Sequence, residues 1–87
     1  MLAYEVHNQF HRHIGEYSTM KKAYEAAIQY LSDLIVELTS ESYYTKHIEQ
    51  ERDVLIELRN KIGTKYQPNP DKFYLGHDVS IIPIRKE

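Results

Sequence analysis

Apolar residues recur at Met20, Tyr24, Ala27, Leu31, Leu34 and Leu38, separated by four, three, four, three and four positions. Those steps place them along one helical seam, and Ala23, Ile28 and Ile35 widen it into a face. Ser18 stands where an N-cap belongs, and the polar run Thr39-Ser40-Glu41-Ser42 marks a stop. The pattern predicts a helix over 18–39.

A second seam runs through Tyr44, Ile48, Leu55, Leu58 and Ile62 and predicts a helix over 43–62. Ser42 or Thr45 can cap its start. Gly63 follows at the position where a left-handed backbone suits glycine. Arg59 and Lys61 lie in the last turn, complementing the helix dipole, and Glu57 and Lys61 form an i,i+4 pair in the better orientation. The joining turn is short, so the two helices are expected to run antiparallel. Glu51 interrupts the second seam. A slight rotation that lets its carboxylate reach water is the plainer expectation. Pairing with another element or another chain is the alternative.

Residues 64–72 contain Pro68 and Pro70 and read as a linker that forbids helix. Beyond it, residues 73–85 read as a C-terminal strand or small hairpin, with Gly76-His77-Asp78 as the turn and 79–84 as the best strand in the chain. Pro83 argues for a position at a strand end or on an edge strand. The N-terminal segment 3–14 admits two readings. As a helix it aligns Ala3, Val6, Phe10, Ile14 and Tyr17. As a strand it puts Tyr4, Val6, Phe10 and Ile14 on one face and His7, His11 and His13 on the other. Periodicity leans to helix, but the apolar C-terminal strand needs a hydrogen-bonding partner, and this segment is the obvious one. The expected fold is therefore α+β: an antiparallel two-helix hairpin packed on a small, mostly antiparallel sheet made from both ends. Three helices with an extended tail are the alternative.

The chain has 87 residues, enough for one domain with a thin core. It has no cysteine, which excludes a disulfide framework, a thiolate metal site and a cysteine nucleophile. No apolar run suits a membrane span and no signal-peptide pattern opens the chain, so a cytoplasmic setting without membrane contact is the expectation. The net charge of -2 supplies no strong global field. Eight tyrosines are many for this length, and tyrosine suits both the rim of a thin core and a protein interface.

Candidate chemistry is sparse. His7, His11 and His13 are the only dense group of possible metal ligands; His7 and His11 have the i,i+4 spacing, but no glutamate follows His7 as zinc-protease chemistry needs. Solvated histidines are the plainer reading, and no metal or other cofactor is expected. His77-Asp78 could orient an imidazole, but no nucleophile elbow accompanies it, and three glycines supply no phosphate-cradling loop. Arg59, Lys61, Lys65 and Lys72 surround Tyr66 and could grip nucleic acid through phosphate contacts and stacking, although Asp71 lies within the patch.

These observations favour a small non-enzymatic protein-binding module, accessory or inhibitory, acting as a homo-oligomer. Its interface candidates are Glu51, Tyr43, Tyr44, Ile81, Ile82 and Ile84. A nucleic-acid-binding regulator using the basic end of the second helix is the second reading. A small-ligand-binding protein with an interfacial pocket is the third, and it needs no motif.

Overall fold

A computed structural model describes residues 2–86. Six elements follow in chain order: β1 (Leu2–Asn8), β2 (His13–Tyr17), α1 (Met20–Ser40), α2 (Lys46–Lys61), β3 (Tyr74–Leu75) and β4 (Val79–Arg85). The strands form one antiparallel sheet in the order β2-β1-β4-β3. The fold is α+β, a helical hairpin on a sheet built from the two ends, and the three-helix alternative is excluded.

The N-terminal segment is neither one helix nor one strand but a hairpin. Asn8 makes the turn: its side-chain oxygen accepts from the N–H groups of Phe10 (2.9 Å) and Arg12 (3.0 Å). His11 takes a left-handed backbone, φ 61°, a conformation short polar side chains and histidine tolerate best. Phe10 therefore projects from the turn, 72% exposed, and does not share the apolar face with Tyr4 and Val6 as a continuous strand would require. The register shifts between Val6 and His7, leaving Ile14 as the extra residue of a bulge.

Both helices start slightly later than the seams suggest. Thr19, not Ser18, caps α1, its hydroxyl accepting from the Lys22 N–H at 3.2 Å. Thr45 precedes α2 without a side-chain cap; its hydroxyl donates instead to Glu49 at 2.9 Å. Tyr44 thus lies in the connection rather than on the seam of α2. Between the helices, the Tyr43 N–H reaches back to the Leu38 carbonyl and the Ser42 N–H to the Thr39 carbonyl, with Ser42 at φ 65°. This is the Schellman arrangement, with serine in the position that glycine usually fills. At the far end of α2, Gly63 has φ 89° and closes the helix as its position implies.

β1 pairs along its whole length with β4, Tyr4 opposite Pro83 and Val6 opposite Ile81. Strand alternation sends Tyr4, Val6, Val79 and Ile81 inward to α1. They meet Ala23, Tyr24, Ala27 and Leu31 from α1, with Ile48 and Leu55 from α2 completing the core. Each fully buried leucine or valine contributes about 1.5–3 kcal/mol relative to exposure. β3 pairs only with Ser80 and Ile81, so Pro83 lies in a stretch of β4 with no strand on that side, where its missing N–H costs no ladder bond. α1 lies on β1, β2 and β4, and α2 packs along α1. The molecule measures 44 × 27 × 16 Å.

Candidate functional site

The two ends of the helical hairpin differ in chemistry. Full burial in α1 ends at Leu31; Leu34, Ile35 and Leu38 stay half-buried against the core, while Val36 faces outward. Past that point Val36 is 70% exposed, Tyr43 63% and Tyr44 77%. The Schellman turn fixes the backbone of Ser42 and Tyr43, so this tip presents its aromatic rings from an ordered connection. Residues 32–45 also carry Asp33, Glu37 and Glu41 and no lysine or arginine. The last turn of α1 has no basic residue, so Glu37 and Glu41 stand at the negative end of the helix dipole. Acids there oppose helix stability by a few tenths of a kcal/mol each. The tip is acidic, aromatic and apolar at once.

The opposite end is basic. Lys21 and Lys22 occupy the first turn of α1, which contains no acid, and the antiparallel packing brings the last turn of α2, with Arg59 and Lys61, to the same end. Arg59 binds Glu25 of α1 at 2.8 Å. That hydrogen bond, helped by the charges of Arg59 and Lys21 and opposed by partial desolvation, holds the Glu25 carboxyl below the usual range. An open cleft of about 570 Å³ lies here, lined by Ala3, Glu16, Tyr17, Ser18, Lys22 and Lys86. Lys86 meets Glu16 at 2.9 Å along its wall.

Glu51 does not reach water. It is buried, accepting the Asp78 N–H at 2.8 Å and the Tyr74 hydroxyl at 3.1 Å. The rotation expected from the sequence is prevented because the β3–β4 turn folds over α2 and supplies both donors. Burial first, and then the Glu51 carboxylate, push the Tyr74 phenol far above its ordinary range. Asp78 is buried beside this network, and its Oδ2 has no hydrogen-bond partner. Among the described residues no hydrogen bond joins His77 to Asp78; the His77 ring meets His47 edge to face, centroids 6.0 Å apart. This arrangement clamps a turn and leaves Glu51 unavailable to an external partner.

The histidine group is rearranged. His7 and His13 come together across the β1–β2 bulge, rings 5.5 Å apart, while His11 sits in the turn and offers its carbonyl to His7 Nδ1 at 3.4 Å. Glu5, which a strand places on the same face as His7, bridges them, 3.0 Å from His7 and 3.7 Å from His13. Among the described residues no group of three donors is arranged to hold a metal ion.

The other sequence-derived candidates scatter. Ile81 belongs to the core. Ile82 and Ile84 are half-buried on the sheet face turned away from α1. Tyr43 and Tyr44 are the tip. Of the nucleic-acid candidates, Arg59 and Lys61 are engaged by Glu25 and Glu57. Lys65 lies 5.1 Å above the exposed Tyr66 ring, and Lys72 sits in the 64–72 connection among exposed neighbours. The polarity of the two ends could be counted in the sequence, but only the antiparallel packing shows which charges share an end.

Among the described residues no helix is long and apolar enough to cross a membrane. No protein-family model, no characterised protein and no solved structure matches the chain.

Proposed function

We propose that this chain is a small, non-enzymatic protein-binding module that engages a basic protein surface through the tip of its helical hairpin. The observation that carries this reading is one segment, 32–45, in which Val36, Tyr43 and Tyr44 are exposed and the charged residues Asp33, Glu37 and Glu41 are all acidic, Lys46 at the start of α2 being the first cation after them. Tyrosine is the residue that most often anchors interfaces, because a rigid ring covers much surface at small entropic cost. The acids add selection for a positively charged partner and a faster encounter. Neither feature serves the fold: the rings lie outside the core and the acids oppose the dipole.

Competition between a basic and an acidic amphipathic peptide, each carrying one apolar anchor, tests the reading. Fluorescence of the tip tyrosines should respond to the basic peptide alone, and the response should weaken in high salt. Tyr43→Ser with Tyr44→Ser should abolish binding measured by calorimetry while leaving the unfolding transition in place. Equal binding of both peptides, or binding untouched by the double substitution, contradicts the proposal.

A nucleic-acid role for Arg59, Lys61, Lys65, Tyr66 and Lys72 has less support, since two of its cations are already held by carboxylates.

A further inference from the structure

We infer that the basic surface the tip meets is the opposite end of a second copy of this chain, so that molecules associate head to tail. The inference rests on the binding role of the tip proposed above and names its partner.

Charge is the first argument. The tip carries Asp33, Glu37 and Glu41 against the single cation Lys46, and none of the three acids takes part in an ion pair among the described residues. The other end carries Lys21, whose charge acts on Glu25, and Lys22, neither within ion-pair distance of an acid among the described residues, next to a cleft with Lys86 on its wall. Acids are in excess at one end and cations at the other. The two cannot meet within one molecule. The tip lies at the C-terminal end of α1 and the cleft at its N-terminal end, and a helix of 21 residues holds them about 31 Å apart.

Shape is the second argument. The cleft is open, and its volume of about 570 Å³ leaves room for an aromatic side chain. Tyr17 and Lys22 are among its lining residues, types that can take an incoming tyrosine by stacking and by cation–π contact. Tyr44, 77% exposed at the end of the hairpin, is the residue best placed to enter. In that arrangement the negative end of one α1 dipole faces the positive end of the next.

A contact between two different patches is heterologous and need not close. The interface is small, so association should be weak, concentration-dependent and sensitive to salt.

Sedimentation velocity of the whole chain, from micromolar to millimolar concentration at low and high salt, tests this with two charge-reversed variants. One carries Glu37→Lys and Glu41→Lys at the tip; the other carries Lys21→Glu and Lys22→Glu at the cleft. The parent should grow in mass with concentration and lose that growth in salt. Each variant alone should need about tenfold or more higher concentration to associate. An equimolar mixture of the two should recover the parent's behaviour, because each altered end then meets a complementary one. Tyr44→Ser, which changes no charge, should weaken association as the reversals do and keeps the test valid where a reversal unfolds the chain. A parent that stays monomeric throughout overturns the inference, as does association that the reversals leave unchanged. A monomeric parent whose tip still binds the basic peptide removes the second copy as partner but leaves the binding module standing. Loss of both removes both.

Discussion

The backbone N–H of Asp78 donates to the carboxylate of Glu51 across 2.8 Å, and this bond ties the β3–β4 turn to α2. No backbone ladder joins the sheet to that helix. The Glu51 network, with the Tyr74 hydroxyl as its second donor, therefore holds the second layer of the hairpin over the sheet edge.

Glu51→Ala leaves a buried N–H and a phenol without their acceptor. The expected loss is about 2–3 kcal/mol, since each bond to a charged group is stronger than a neutral one and its donor stays desolvated. Urea unfolding measures it. A loss no larger than that of an exposed glutamate such as Glu57→Ala would contradict the clamp.

Gly76 has no room for a side chain: an added Cβ meets the Glu51 carboxylate, the Tyr74 ring and the Val79 carbonyl. Gly76→Ala should cost about 1–3 kcal/mol by forced displacement of the turn. The same substitution at Gly63 strains the backbone at φ 89° without any collision. Combining Gly76→Ala with Glu51→Ala should give less than the sum of the two losses, because the turn is already released. Additive losses in the unfolding midpoint would argue that the two residues act separately.

Alkali should weaken the fold. Burial raises the phenols of Tyr4, Tyr24 and Tyr74 above 10.0, the ordinary tyrosine value. A group whose folded value is raised contributes stability that is complete below the unfolded value and is lost as pH rises through the folded one. Stability should therefore hold up to pH 10.0 and fall above it. Tyr74→Phe should make that fall shallower, at the cost of one hydrogen bond at neutral pH. Thermal unfolding across the alkaline range reads both effects, and a fall of equal steepness in Tyr74→Phe would show that another group governs it.

Ser42 holds a left-handed backbone at the hairpin connection, φ 65°. Glycine adopts that conformation without steric cost, so Ser42→Gly should raise stability by about 0.5–1 kcal/mol. Calorimetry checks the sign. Ser42→Val should lower stability, because a β-branched side chain fits that region poorly.

The helices were legible because their seams repeat with helical spacing over many residues; packing used most of each seam, but left Tyr44 in the connection and buried Glu51. The N-terminal hairpin was not. Its turn depends on two hydrogen bonds to the side chain of Asn8 and on the left-handed backbone of His11, local geometry that apolar periodicity does not register. The fate of Glu51 was hidden for another reason. Its partners, Tyr74 and Asp78, lie 23 and 27 residues further along the chain, beyond any local pattern. Likewise a strand puts Glu5 and His7 on one face, but the approach of His13 from the neighbouring strand needed the hairpin's register. Asp33, Glu37 and Glu41 drew no reading from the sequence; they stand out only once the helices pack and place Lys21 and Lys22 at the far end of the same helix.

Zero-length carbodiimide coupling between isotope-labelled and unlabelled copies tests the central claim most directly. At concentrations where mass rises, cross-linked peptides should join Glu37 or Glu41 of one copy to Lys21, Lys22 or Lys86 of another, as mixed-label pairs found by mass spectrometry. Cross-links confined to single copies, or joining the tip to other lysines at random, would contradict the account.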